Sequence, residues 1–168
     1  MWHNDNIIQD SSHWMALSHD DLLLAGDIST GTITIWEAAT NTPRKLILYQ
    51  GNGAVRLSFS PSEQILAYSS YDVTVRLWGT RPGLLRGKSE ESERPHKYYM
   101  KRVVFSPCGP HVASRDQGGS IVMWNTRKGT ERYRFRTTVA STRDPEFSPD
   151  GRWLVSWASR DNVKAWNT

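Results

Sequence analysis

Gly83-Leu84-Leu85-Arg86-Gly87-Lys88-Ser89 is the stretch of this chain closest to a known chemical device, a phosphate-cradling loop. Such a loop needs four residues between its glycines and a helix that starts at the lysine. Here three residues separate Gly83 from Gly87, and the tail Ser89-Glu90-Glu91-Ser92-Glu93-Arg94-Pro95 is acidic with no apolar face. It reads as an exposed loop. Nucleophilic catalysis has no better footing: Gly-x-Ser-x-Gly is absent, and Cys108 occupies a turn. The histidines at 3, 13, 19, 96 and 111 form no His-x-x-x-His pair and have no carboxylate at ligand spacing. Asp20-Asp21 and Glu90-Glu91 fall in turns or loops, where solvated charge is the ordinary state. The expectation is a non-enzyme with no catalytic residues, no metal site and no cofactor.

Basic side chains carry more information. Lys and Arg number 21 against 17 acids, for a net charge of +4. Arg132-Tyr133-Arg134-Phe135-Arg136 alternates, so a strand there puts three arginines on one face and two aromatics on the other. The simple role of such a charged edge is to block strand-on-strand aggregation; its functional role would be to meet phosphate. Arg94-Pro95-His96-Lys97-Tyr98-Tyr99-Met100-Lys101-Arg102 mixes basic and aromatic groups in a connecting loop. Arg and Tyr are common interface anchors, and the same mixture suits nucleic acid. No nucleic-acid motif accompanies it, and +4 on 168 residues is a weak global signal.

The elements that must position these groups are strands. Leu, Ile, Val and Phe together make about one residue in five, yet the chain holds eight Trp, which indicates a core built on indoles. No apolar run approaches the ~20 residues of a membrane span, and Met1-Trp2-His3-Asn4-Asp5 does not open a signal peptide. A single cysteine excludes an internal disulfide and favours a reducing, intracellular compartment, cytoplasmic or nuclear.

Trp36, Trp78, Trp124 and Trp166 each close a similar stretch: Ile33-Thr34-Ile35-Trp36, Val75-Arg76-Leu77-Trp78, Ile121-Val122-Met123-Trp124 and Val163-Lys164-Ala165-Trp166. They lie 42, 46 and 42 residues apart. Phe59-Ser60-Pro61, Phe105-Ser106-Pro107 and Phe147-Ser148-Pro149 recur upstream, each Phe 19 residues before its Trp. Nineteen residues before Trp36 stands Leu17-Ser18, a weakened copy. Two landmarks in register over four copies define a repeat. Within a copy the period is two: Val73, Val75 and Leu77 on one side, Thr74, Arg76 and Trp78 on the other. Turns such as Ser106-Pro107-Cys108-Gly109 and Ser148-Pro149-Asp150-Gly151 separate the strands. The second copy predicts strands near 54–59, 65–69, 73–78 and 83–87, a four-stranded antiparallel meander.

These residues resemble the WD-repeat β-propellers, in the Phe-Ser-Pro-(Asp/Cys)-Gly turn, the small-residue strand after it, the Gly-Thr-Ile-Thr-Ile-Trp strand and the period. The resemblance covers about residues 13–168 and implies an all-β propeller of about four four-stranded blades. Three features depart from the family's pattern. Trp is followed by Glu37, Gly79, Asn125 and Asn167 in place of Asp. Six residues before Trp only Asp72 is acidic, against Thr30, Gly118 and Arg160, and the nearest remnant of a Gly-His pair is Gln50-Gly51. The family's buried His–Asp–Ser/Thr–Trp network is therefore not expected in most blades, which must hold by packing.

The expected organisation is an N-terminal strand or tail at 1–12, then blades near 13–53, 54–100, 101–142 and 143–168. Asn6-Ile7-Ile8-Gln9 could complete the last blade and latch a closed four-bladed ring, but an open arc or a piece of a longer protein fits the chain better. Trp36, Trp78, Trp124 and Trp166, with Phe59, Phe105 and Phe147, are expected at blade interfaces. One end of the blades gathers Ser70-Tyr71-Asp72, Arg115-Asp116-Gln117, Ser159-Arg160-Asp161, Gly51-Asn52-Gly53, Lys97-Tyr98-Tyr99 and Ser141-Thr142-Arg143. The resemblance implies that this face receives a protein or peptide, with Tyr71, Asp72, Tyr98, Tyr99, Arg115, Asp116, Arg160 and Asp161 as candidate contacts. The alternative is an anionic phosphate, from lipid or nucleic acid, met by Arg132, Arg134 and Arg136. An open ring would also invite self-association.

Overall fold

The computed structural model describes residues 14–29, 32–48, 54–62, 64–80, 96–136, 144–159 and 162–168. Every regular element among them is a strand, and the strands form four antiparallel sheets in chain order. Blade 1 holds β1 (Met15–Leu17), β2 (Leu23–Ser29), β3 (Thr32–Glu37) and β4 (Thr42–Leu48). Blade 2 holds β5 (Ala54–Phe59), β6 (Ile65–Ser70) and β7 (Val75–Gly79). Blade 3 holds β8 (Met100–Phe105), β9 (His111–Asp116), β10 (Ser120–Asn125) and β11 (Thr130–Arg136), and blade 4 holds β12 (Glu146–Phe147), β13 (Trp153–Ser159) and β14 (Asn162–Asn167). The expected strand at 83–87 and the Ile7-Ile8 latch lie outside the described residues.

One turn, built four times, sets the register between the first two strands of each blade. The amide of Ser18, Ser60, Ser106 and Ser148 donates to the carbonyl of Leu23, Ile65, His111 and Trp153, at 2.8 to 2.9 Å. In three blades the serine hydroxyl also accepts the amide of that same partner residue. Gly109 and Gly151 close their turns at φ 84° and 72°, where only glycine is free of strain, and Asp21 takes the same place in blade 1 at φ 57°. Leu17-Ser18 is thus a true fourth copy.

Period-two alternation gives every blade a Trp-bearing face and an aliphatic face. The packing rule is uniform: the Trp face of each blade covers the aliphatic face of the blade before it. Leu66 and Tyr68, with half-buried Trp78, pack on Ala25, Ile33 and Ile35 of blade 1. Trp124, Val112 and Val122 pack on Ile65, Ala67, Val75 and Leu77 of blade 2. Leu154, Phe147 and Trp166 pack on Ala113 and Ile121 of blade 3, where the Phe135 and Trp166 rings stand 4.4 Å apart. Among the described residues no comparable core joins blade 4 to blade 1. Of the four signature tryptophans only Trp124 is fully buried; Trp36, Trp78 and Trp166 are half-buried, less than the repeat pattern predicts.

Candidate partner-binding face

The turn after β6 and the loop before β8 meet at one end of blades 2 and 3. Tyr71 and Tyr99 come together edge to face, ring centroids 5.9 Å apart, with 47% and 59% of their surfaces exposed. Beside them Tyr98 lies over Gly118, whose missing Cβ would stand 2.2 Å from the ring. Only glycine fits there. The Lys97 ammonium sits 5.8 Å from the Tyr98 ring centre, a cation held over an exposed aromatic face.

One repeat position adds a set that the sequence reading did not bring together. Trp14, Arg56, Arg102 and Asp144 each stand three residues before Leu17, Phe59, Phe105 or Phe147, so they occupy one repeat position. Arg56 lays its guanidinium over the Trp14 ring, 3.4 Å from the centroid, and donates from Nε to the Lys101 carbonyl at 2.8 Å. Partial burial lowers the pKa of Arg56 and nearby Arg102 adds to that, while Asp144 and Tyr71 oppose it. A guanidinium so placed stays charged. The signal in the sequence was phase relative to the Phe landmark.

The structure separates the expected contact residues into two groups. Tyr71, Tyr98 and Tyr99 are exposed at this end. Asp72 is half-buried and ties its own turn: it accepts from the Thr74 amide at 3.1 Å, the Thr74 hydroxyl at 2.6 Å and Arg76 at 2.6 Å. Burial alone would raise the Asp72 carboxyl, but these donors hold it below the usual range. Arg115 is buried and reaches across to Asp144 at 2.6 Å, an ion pair between blades 3 and 4. Asp116 has no exposed surface and cannot meet a partner, a correction to its expected role. Arg160 and Asp161 lie outside the described residues.

Asp116 instead belongs to a buried chain of hydrogen bonds. His96 joins Asp116 through Nδ1 at 3.2 Å and Ser114 through Nε2 at 2.7 Å, and the Trp124 indole N–H donates to Ser114 Oγ at 2.9 Å. The Ser120 amide donates to the other Asp116 oxygen at 2.9 Å. Burial raises the Asp116 carboxyl, but the His96 and Ser120 bonds outweigh it and bring the pKa below the usual value. The family network is therefore present in blade 3. The sequence search missed it for two reasons: Pro95 precedes His96 where Gly was sought, and the acid stands eight residues before Trp124, not six. In blade 2 the equivalent positions are Gln50, Tyr68 and Ser70, which cannot repeat it.

On β11, at the outer edge of blade 3, Arg134 forms an ion pair with Glu131, and Arg132 stands 3.1 Å from His111 Nε2 and over the Tyr133 ring. Phe135 turns inward onto Trp166. Among the described residues no cluster of three His, Cys, Asp or Glu could hold a metal ion, and no helix is long and apolar enough to cross a membrane.

Four small antiparallel sheets, stacked face on face in chain order by a repeated Trp-on-aliphatic interface, define propeller blades. The computationally designed Ika4 protein, a propeller, superposes with a TM-score of 0.74 over 99% of both chains at 20% identity. No family model matches the chain. Curated relatives do, among them three that are each 31% identical. Periodic tryptophan protein 2 of Arabidopsis thaliana aligns over 124 residues, 74% of this chain and 13% of its own length. Small ribosomal subunit protein RACK1y of Oryza sativa subsp. japonica aligns over 113 residues, 67% of this chain and 32% of its own. WD repeat and SOCS box-containing protein 1 of Xenopus tropicalis aligns over 122 residues, 70% and 28%. The chain belongs to the WD-repeat proteins. It spans about a third or less of the length of these relatives.

Proposed function

We propose that this chain is a non-enzymatic, intracellular scaffold that captures a protein or peptide on the loop end of blades 2 and 3. The observation that carries the reading is the Tyr71–Tyr99 pair: two loops from neighbouring blades present half-exposed tyrosines in edge-to-face contact. Two χ angles make such rings cheap to immobilise, so they serve as anchors. Lys97 stands over the neighbouring Tyr98 ring and Arg56 lies within electrostatic reach of Tyr71 and Arg102, which favours a partner segment that sets carboxylates beside an apolar side chain. The relatives' membership of the WD-repeat proteins supports a scaffold over an enzyme.

The second reading, phosphate capture along β11, is weakened by the Glu131 carboxylate already engaged with Arg134. Affinity capture from cell extract with wild type, Tyr71→Ala/Tyr99→Ala and Arg132→Gln/Arg134→Gln/Arg136→Gln separates the two. The tyrosine variant is expected to lose about 2 kcal/mol, roughly thirty-fold in affinity, for its principal partner. The arginine variant should change mainly salt dependence and on-rate. Capture that survives the tyrosine changes and vanishes with the arginine changes overturns the proposal and selects phosphate.

A further inference from the structure

Stacking brings one repeat position of blades 2 and 3 to the same place. Arg56 and Arg102 each stand three residues before the Phe of their blade, on its first strand, β5 or β8. Both strands carry the same irregularity just before the arginine. The register against the second strand slips between Ala54 and Arg56, and again between Met100 and Arg102. A bulge of this kind bends its strand and re-aims the side chains beside it. In β8 it leaves Lys101 and Arg102 both exposed, where strict alternation would turn one of them inward. Arg56 then ties the two strands across the blades, since its Nε donates to the Lys101 carbonyl at 2.8 Å while its guanidinium lies on the Trp14 ring.

The carboxylates Asp72, Asp116 and Asp144 are already engaged. Asp72 accepts from Thr74 and Arg76, and Asp116 is buried against His96. Asp144, the acid at the same repeat position of blade 4, pairs with Arg115 at 2.6 Å. Lys97, Lys101 and Arg102 meet no carboxylate among the described residues. Arg102 and Tyr71 both lie within electrostatic reach of Arg56, so a pair of like charges adjoins the tyrosine pair. An anion set between two guanidinium groups relieves their repulsion and gains charge-assisted hydrogen bonds. The neighbouring loop is held in place: the Gln117 amide donates to the Tyr99 carbonyl at 2.7 Å, and His96 is bonded to Asp116. A face so fixed loses little freedom on binding.

We infer that Arg56 and Arg102 are the carboxylate-reading element of this face, taking an Asp or Glu side chain of a peptide segment whose neighbouring apolar residue lies on Tyr71 and Tyr99. The inference rests on the partner-capture reading and adds the residues that select the partner. A nucleic acid fits less well. A run of phosphates needs an unbroken basic stripe, and Asp144, with 44% of its side chain exposed, interrupts this one a blade further on. One carboxylate needs only the two arginines.

Selection from a phage-displayed library of random peptides tests the assignment. On wild type, enriched sequences should carry Asp or Glu beside an apolar residue. On Arg102→Gln the acidic preference should fade, and a synthetic peptide of the sequence most enriched on wild type should bind about ten-fold more weakly by fluorescence anisotropy. Arg102 is exposed, so the variant is expected to fold. Arg102→Glu goes further: it should turn the selected preference from acidic to basic, which a loss of structure would not do. Enriched peptides without an acid, lost from Tyr71→Ala/Tyr99→Ala, overturn the inference and leave partner capture standing. So does an acidic preference that survives both Arg102 changes. Binding of labelled oligo(dT) that Arg102→Gln abolishes, in place of acidic peptides, assigns the arginines to phosphate and also overturns it. No enrichment on wild type above bare support overturns both readings.

Discussion

Val73 shows how much a single backbone angle can cost. It follows Asp72 in the turn before β7 at φ 61°, a region that a β-branched residue enters only under strain, while the equivalent residue in blade 3 is Gly119 at φ 83°. Relief of that strain should exceed the extra unfolded-state entropy of glycine, so Val73→Gly is expected to stabilise the chain by about 1 kcal/mol and raise its melting temperature. An unchanged or lower melting point would show that Val73 is repaid by packing. Asp116 makes the opposite case, in which an acid is indispensable because it is buried. Its folded pKa lies below the usual carboxylate value, so the unfolded state takes up the proton more readily. The stability it supplies is present above about pH 4 and is lost as pH falls through the folded value. Asp116→Asn should therefore cost roughly 1–3 kcal/mol at neutral pH. In melts followed downward from pH 5, the gap between wild type and variant should narrow below pH 4; a constant gap would exclude linkage to this carboxyl.

Strand period, turn chemistry and the Trp–Phe phase were legible in the sequence because each is local. Ser106-Pro107-Cys108-Gly109 predicts its own turn, and Gly109 donates to the Ser106 carbonyl at 2.9 Å as such a turn requires. What is non-local was not legible. Arg115 reads as a loop contact until Asp144, from the next blade, is seen 2.6 Å away. His96 reads as one scattered histidine until β9 brings Ser114 and Asp116 to its two nitrogens. The same contrast grades the tryptophans. Trp124, 4% exposed and bonded to Ser114, should cost about 3–5 kcal/mol when cut to Ala. Trp36, half-buried on the uncovered face of blade 1, should cost clearly less when melts are run at low protein concentration. Equal losses from the two substitutions would mean that the blade 1 face is covered in solution even there.

At the scale of the whole molecule, the sequence announced four repeats and an all-β fold, and left open how the row of blades ends. Arithmetic on strand counts alone allows a ring that closes on itself; among the described residues, Val163 and Leu17 stand exposed on the end faces of the row. Function was least visible of all, because a partner is recognised by loops that share no repeat. Tyr71, Tyr98 and Tyr99 were nameable from composition, but the Arg56–Trp14 stack that ties blade 1 to blade 2 beside them needed coordinates.

The hydrogen-bond chain within blade 3 has a mechanical consequence. Apolar contacts between blades can loosen by degrees, since dispersion and burial fall off smoothly with separation. A line of bonds from His96 to Trp124 yields all at once or not at all. Blade 3 is therefore expected to hold together as a unit, its leading loop bonded to β9 and β10, while its contacts with neighbouring blades loosen. The tyrosine loop before β8 is carried on that unit, because His96 stands only two residues before Tyr98.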